Sequence, residues 1–242
     1  MEKIIQYKDV CKAYGNKKVL YNFNLDIEKG EFLVVVGTSG SGKTTMMKMI
    51  NGLVKPDSGE ILLNGENIED KDLINLRRHI GYVIQGNVLF PHMTVKENIS
   101  YTLRLQNMQN DKIDEIVNEK LKLVGLPENL KNNYPEELSG GQQQRVGIAR
   151  AYASSPEILL MDEPFGAVDA ITRYQLQKDL KKIHSETKCT IVFITHDISE
   201  ALKLGTKILV LDKGEIQQYS TPEEVKNNPG NEFVAKLIEM AL

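Results

Sequence analysis

The chain has 242 residues, enough for one large domain or two small ones with a real core. Hydrophobic residues at 41%, charged residues at 26% and a net charge of -3 describe an ordinary soluble composition and argue against a nucleic-acid partner held by sheer positive charge. The longest apolar runs, near Phe32 to Val36 and Ile158 to Met161, fall far short of the ~20 residues that a membrane-spanning helix needs. The opening residues, Met1 to Gln6, lack the charged-then-apolar secretory pattern, so the chain is expected to stay in the cytosol. Cys11 and Cys189 belong to no C-x-x-C pair and read as reduced structural residues.

The first 35 residues alternate in the manner of strands with tight connections, Ile4 to Val10 and then Val19 to Ile27, with a turn at Lys29-Gly30. The apolar run Phe32 to Val36 predicts a buried strand. It leads into Gly37-Thr38-Ser39-Gly40-Ser41-Gly42-Lys43-Thr44, which fits the spacing G-x-x-x-x-G-K-[ST]. Glycines at those positions let successive backbone N–H groups curl around phosphate oxygens at a helix N-terminus. Lys43 would reach the outer phosphates and the Thr44 hydroxyl would ligate Mg²⁺, with Thr45 beside it. By average residue frequencies the pattern arises by chance in roughly one chain in a hundred of this length. A strand ahead and Met46, Met47, Met49 and Ile50 at near-helical spacing behind favour a nucleotide loop over a flexible turn.

Gly59 to Gly65 predicts a further strand closed by an Asn-Gly turn, so a partly antiparallel sheet is expected to flank the phosphate loop. Gln85 follows the strand-like Gly81 to Ile84 and offers an amide to a metal or an attacking water. Between about Gly86 and Leu138 the character turns helical. Thr94-Val95-Lys96-Glu97 is a capping box, and Ile113, Ile116, Val117, Lys120, Leu121 and Val124 trace a stripe that stops at Gly125 with Pro127 beyond. A second glycine-rich turn, Leu138-Ser139-Gly140-Gly141-Gln142, then precedes a helix expected over Gln142 to Ser154. One triphosphate needs one cradle and this chain builds two anion-ready helix N-termini. Either the second is a plain turn, or Ser139, Gly140 and Gly141 cover the ATP of a second copy in a head-to-tail homodimer.

From Ile158 onward strands and helices alternate in the signature of a parallel α/β sheet: Ile158 to Met161, Ile171 to His184, Thr190 to Ile194, Ile198 to Leu204 and Lys207 to Leu211. The first of these strands delivers Asp162 and Glu163 at its C-terminal end, where ligands sit in open α/β sheets. Asp162 is placed for the Mg²⁺ shell and Glu163 for polarising a water toward the γ-phosphate. His196, after Ile191 to Ile194, would reach the same edge, whereas His79, His92 and His184 follow no such strand and read as surface or packing residues. In the tail, Thr221-Pro222 opens a helix, and Phe233, Val234, Leu237, Ile238 and Ala241 share one face expected to pack on the body.

Together these residues resemble the nucleotide-binding subunit of ABC transporters over essentially the whole chain. Gly37 to Thr44 resembles the Walker A loop, Gln85 the Q-loop, Leu138 to Gln142 the LSGGQ signature, and Ile158 to Asp162 Walker B. Glu163 resembles the catalytic glutamate, Val168-Asp169 the D-loop, His196 the switch histidine, and Tyr14 the aromatic that stacks on adenine. Val168 replaces the more frequent Leu, a conservative change. The resemblance implies a P-loop NTPase core of mostly parallel sheet with an antiparallel β subdomain, over 1–85 and 155–242, and an inserted helical subdomain over 86–154. It also implies ATP and Mg²⁺ as ligands, a homodimer around two nucleotides, and a place on the cytoplasmic face of the membrane. There it would drive a permease that works with a solute-binding protein or domain.

Val83-Ile84-Gln85, Leu89 to Thr94 and Asp162 to Ala167 look like importers of small polar solutes. Asp169-Ala170-Ile171-Thr172-Arg173 is most similar to the osmoprotectant group, which takes up glycine betaine, carnitine, choline or proline betaine. Many members of that group carry paired CBS modules at the C-terminus; the sequence ends at Leu242 without them, so regulation through such modules is not expected. Competing expectations are an importer of amino acids or other polar solutes, a soluble ABC-type ATPase of DNA repair or ribosomes, and a generic phosphoryl-transfer kinase or GTPase. The long coiled-coil insertion or fused second domain of the soluble type and the Asn-Lys-x-Asp motif of a GTPase are not visible in the sequence.

Overall fold

The structure is a computed structural model and describes residues 2–86, 89–166 and 168–240. In chain order, β1 (Lys3–Tyr14), β2 (Lys17–Glu28) and β3 (Phe32–Gly37) lead into α1 (Lys43–Ile50), then β4 (Ser58–Leu63), β5 (Glu66–Asn67) and α2 (Leu73–Arg78). Next come β6 (Ile80–Val83), α3 (Val95–Leu105), α4 (Asn110–Leu123), α5 (Gly140–Ala151), β7 (Ile158–Asp162) and α6 (Ala170–Thr187). The chain finishes with β8 (Thr190–Ile194), α7 (Ile198–Leu204), β9 (Lys207–Asp212), β10 (Glu215–Ser220), α8 (Pro222–Asn227) and α9 (Glu232–Glu239). Contacts divide it into two compact units, Met1–Leu76 with Thr190–Leu242, and Arg77–Cys189.

The first unit holds an antiparallel sheet in the order β2-β1-β4-β5, and a second set of strands in which β3 lies parallel between β8 and β9, with β10 antiparallel on β9. Phe32 to Val36 are all buried, which is why β3 reads as an unbroken apolar run: a central parallel strand is covered on both faces. β1 and β2 alternate instead, because one face of their sheet meets solvent. Both run longer than expected from the sequence. Bulges with Asp9 at φ 51° and Asn22 at φ 45° interrupt the pairing without ending it, and Asn24 ties them by donating from Nδ2 to Asp9 Oδ1 at 3.0 Å. The continuation carries β1 as far as Tyr14.

The expected Asn64-Gly65 hairpin is present, with both residues at positive φ, and the α8 cap is Thr221 accepting from Glu224 N at 3.3 Å. α9 buries Val234 and Ile238 as its pattern implied, while Ala241 of the same stripe lies outside the described residues. β10 was not anticipated. Its sequence, Glu215 to Ser220, is polar and half-buried because it is an edge strand.

In the second unit β6 and β7 pair in parallel, Ile80 opposite Ile158 through Val83 opposite Met161. α3 buries Val95, Ile99 and Leu103, α4 buries Ile113, Val117 and Leu121, and α5 buries Val146, Ile148 and Ala149, the spacing of three helices sharing one core. The capping box at Thr94 and Glu97 is made in full. α5 starts two residues before the expected Gln142 and stops at Ala151, since Ser139 is the cap and the glycines form its first turn. This unit is larger than the helical segment 86–154, because α5 packs on β6 and α6 and draws β6, β7 and α6 into the same body.

Candidate active site

The phosphate loop of the first unit is set by β3. Gly37, its last residue, pairs with Leu211 of β9, and a Cβ there would lie 1.9 Å from the Leu211 carbonyl oxygen. No side chain fits. The loop is then pinned from β9 and the turn after it: Thr38 Oγ1 donates to Asp212 Oδ1 at 2.8 Å, and Gly214 N donates to Ser41 O at 3.0 Å. Asp212 and Gly214 were not foreseen, being over 170 residues away in sequence. Thr38, Ser39 and Gly40 form an exposed crest above buried Ser41, Gly42 and Lys43.

α1 begins with Gly42 as a cap that offers no side-chain acceptor and has no acidic residue in its first turn. Its first amides and its dipole therefore favour an anion rather than an internal carboxylate. Lys43 Nζ donates to Gly37 O and Thr38 O, both at 2.8 Å, and is held across the crest. Among the described residues Ser41 Oγ is buried without a hydrogen-bond partner. A buried hydroxyl in that condition calls for an external polar group. Thr44 and Thr45 stand half-buried on the first turn beside it.

Two further residues of the first unit were singled out. Tyr14 ends β1 with 52% of its surface exposed, and Lys12 Nζ sits 5.5 Å from its ring centre, so the ring offers a free area for stacking. His196 is exposed at the end of β8. The loop that carries it is fixed by Thr195 Oγ1 donating to Glu200 Oε2 at 2.6 Å, by Asp197 N donating to Thr195 Oγ1 at 3.0 Å, and by the Asp197 cap on α7.

In the second unit Asp162 is the last, buried residue of β7, 4% exposed. Burial, with the Asp162 charge adding to it, pushes the Tyr82 phenol on neighbouring β6 up to about 12. Glu163 leaves the strand at φ 45°, a left-handed conformation that is costly for a side chain of this size, and its Oε2 accepts from Gln85 Nε2 at 3.0 Å. Gln85 and Glu163 were read from separate motifs 78 residues apart, and the fold brings them together.

Ser139 caps α5: its Oγ accepts from Gln142 N at 3.3 Å, and Gln142 Oε1 accepts from Ser139 N at 2.9 Å. Asp169 caps α6, accepting from Ile171 N at 3.1 Å and Thr172 N at 3.0 Å. The Thr172 hydroxyl, and then the Thr172 amide, hold the Asp169 carboxyl below the usual carboxylate range. A cleft of about 360 Å³ runs between these caps, lined by Ser139, Gly141, Gln142, Arg145, Ile171 and Thr172. Arg145 bonds Val124 O at 2.5 Å and Asp179 of α6; sequence reasoning missed it because it belongs to no motif.

Residues 20–166 match the family described as ABC transporter. The chain is 51% identical to the glycine betaine/carnitine/choline transport ATP-binding protein OpuCA of Bacillus subtilis (strain 168), over 97% of this chain and 62% of that protein. It is 47% identical to the glycine betaine uptake system ATP-binding protein YehX of Escherichia coli (strain K12), over 96% of this chain and 75% of that protein. It thus spans less than two thirds of some curated relatives and three quarters of another. Among solved structures, a dimeric post-hydrolysis state of an ATP-binding cassette bound to ADP and Pi superposes with a TM-score of 0.82 at 38% identity, covering 90% of this chain and 99% of that one. The Clostridium perfringens cbiO1 structure, part of the cbiONQ transporter complex, gives 0.87 at 28% identity, covering 100% of this chain and 96% of that one. With a family match across more than half its length, and with the fold of solved cassettes, this chain belongs to the ABC transporter family.

Proposed function

We propose that the protein is the ATP-hydrolysing subunit of an ABC importer for a small polar solute, an osmoprotectant of the glycine betaine, carnitine or choline type. The observation that carries hydrolysis is the Gln85–Glu163 hydrogen bond one residue beyond buried Asp162. A neutral amide on one oxygen orients the Glu163 carboxylate without pairing it to a cation, which suits a general base in attack on a γ-phosphate. The solute class rests on the 51% identity to a relative named for glycine betaine, carnitine and choline transport.

In this reading Tyr14 stacks on adenine, and the amides from Gly37 to Lys43 cradle the outer phosphates. Lys43 exchanges its bonds to Gly37 O and Thr38 O for phosphate oxygens. Thr44, Asp162 and Gln85 would hold Mg²⁺, which would supply charge neutralisation on those oxygens. The unsatisfied Ser41 hydroxyl and the acid-free first turn of α1 fit the phosphates themselves. Glu163 takes the proton of the attacking water, and His196 contacts the γ-phosphate. Ser139, Gly140, Gly141, Gln142 and Asp169 of a second copy complete each site, so the working unit is a homodimer.

Among the described residues no helix is long and apolar enough to cross a membrane, so attachment to the cytoplasmic face goes through a permease, with a solute-binding protein or domain in the complex. The segment 86–154 is the helical subdomain, and 1–85 with 155–242 the ATP-binding core. The test is to extract the protein from its native membrane in mild detergent, identify what copurifies, and measure ATP hydrolysis in the same fraction. A permease that binds quaternary amines, with hydrolysis in the fraction, is the expected result. A ribosomal or DNA-repair partner without a membrane protein overturns the transport reading.

A further inference from the structure

Glu200 is the acidic residue in the first turn of α7, and only 5% of its surface is exposed. A carboxylate in a first helical turn is favoured by the dipole whether or not it is covered, and burial adds a cost unless a partner meets it inside. The partner is Thr195, itself 3% exposed, whose Oγ1 donates to Glu200 Oε2 at 2.6 Å. That length belongs to a hydroxyl bonded to a charged acceptor.

The same hydroxyl accepts from Asp197 N at 3.0 Å. A hydroxyl has one proton to give. With Glu200 taking that proton, the Thr195 oxygen presents its lone pairs to the peptide N–H that follows His196. On the other side of His196, Thr195 N donates to Val35 O at 3.1 Å, which continues the pairing of β8 with β3. Asp197 caps α7 through Ser199 N at 2.8 Å, and its carbonyl accepts from Glu200 N at 3.1 Å. These bonds close a ring, Thr195 to Glu200 to Asp197 and back to Thr195, and exposed His196 is the residue that the ring spans.

We infer that Glu200 is a positioning residue for His196: it sets the direction of the Thr195 hydroxyl, and through it the backbone on both sides of the imidazole. The inference deepens the ATPase reading and rests on it, since His196 is there the group that meets the γ-phosphate. Glu200 then serves turnover and leaves the binding of ADP, which has no γ-phosphate, to other residues.

The test compares Glu200→Ala, Glu200→Gln, Thr195→Val and Thr195→Ser, each alone and in a His196→Ala background, with ATP turnover, ADP affinity and melting temperature read on every protein. Glu200→Ala removes the acceptor and Thr195→Val the hydroxyl, and each is expected to lower kcat by roughly tenfold with ADP affinity within about twofold of wild type. Thr195→Val keeps the shape of its side chain, so a fold that fails on losing the buried carboxylate does not spoil the comparison. Glu200→Gln and Thr195→Ser keep an acceptor and a hydroxyl and should hold most of the turnover. Because Glu200 works through His196, Glu200→Ala should cost no further turnover once His196 is alanine. The imidazole NMR signals of His196, identified by their loss in His196→Ala, should shift in Glu200→Ala and Thr195→Val and stay near their wild-type positions in Thr195→Ser.

Wild-type turnover in Thr195→Val, or an equal loss from Glu200→Ala with and without His196, overturns the inference. So does a fall in ADP affinity as large as the fall in turnover, which would mark Glu200 as a support of the whole site. If the wild-type protein hydrolyses no ATP the proposed function fails. The imidazole signals then decide by themselves whether Glu200 sets the place of His196, as they also do where His196→Ala leaves no turnover to measure.

Discussion

Glu163 carries two costs that a merely structural residue would not keep. Its backbone sits at φ 45°, where a residue with a side chain is strained by roughly 1–3 kcal/mol, and its carboxylate is tethered to Gln85. Glycine adopts that conformation freely but loses more entropy on folding, so Glu163→Gly should leave stability unchanged or raise it by up to about 1 kcal/mol. The same change removes the base and should lower ATP turnover by roughly 10²-fold or more. Thermal melting and steady-state hydrolysis on one preparation check both halves. A variant that melts several degrees lower would show that Glu163 holds the fold, and one with normal turnover would remove it from the chemistry. The companion change Glu163→Gln keeps the left-handed backbone and should lose turnover while still binding ATP, which a fluorescent nucleotide can report.

At the scale of elements, one buried amide organises the segment that enters α3. Asn98 is fully buried, accepts from Phe90 N at 2.8 Å, and donates from Nδ2 to the carbonyls of Phe90, Met93 and Thr94 at 3.0–3.1 Å. The loop is thereby folded onto the helix, with the Phe90 ring 4.8 Å from that of Tyr101 and under the Arg150 guanidinium. Asn98→Ala strands those backbone groups and should cost about 2–4 kcal/mol. Asn98→Asp should be worse at neutral pH, because a carboxylate oxygen would then face the three carbonyls that the amide now satisfies, and should recover part of the loss as pH falls and the acid regains a proton. Denaturant unfolding at pH 7 and pH 5 checks the order of the two variants and the direction of the shift.

Elements of this kind were legible in the sequence only where the signal was local. The caps at Thr94 and Thr221 each span four residues, and the structure makes both; the Ser139 cap, hidden in a glycine-rich turn, was not read as one. β3, β7 and β8 announced themselves as apolar runs because they are covered on both faces. The bulges that prolong β1 and the polar edge strand β10 gave no such signal, since their pairing is decided by partners elsewhere in the chain. The site divides in the same way. Lys43, Glu163 and Ser139 could be read from motif spacing, while Asp212 on Thr38 and Thr172 against Gly141 exist only once distant segments have folded together.

For the whole molecule, the decisive question is whether each nucleotide is served by one chain or two. α1 and α5 both present N-terminal turns free of acidic residues, and only α1 carries a lysine laid across its loop. Two anion-ready helix ends per chain match two nucleotides per pair of chains if each ATP takes one end from each copy. A Cβ on Gly140 would meet no heavy atom of the described residues outside its own helix backbone and chain neighbours within 4 Å, and that side is then the place where the second copy's phosphate arrives. Ser139→Arg should fill that place and silence hydrolysis through the partner, and Lys43→Ala should silence it through the chain's own loop. Neither homodimer has an intact site. In a mixed dimer, one site collects both lesions and the other collects none, so an equimolar mixture of the two inactive proteins should regain up to about a quarter of wild-type turnover. Differently tagged chains allow the mixed dimer to be isolated and assayed by itself. Turnover in that fraction assigns Ser139 and Lys43 to opposite sides of one shared nucleotide; mixed dimers that form on ATP and hydrolyse none of it place both residues around a nucleotide held within a single chain.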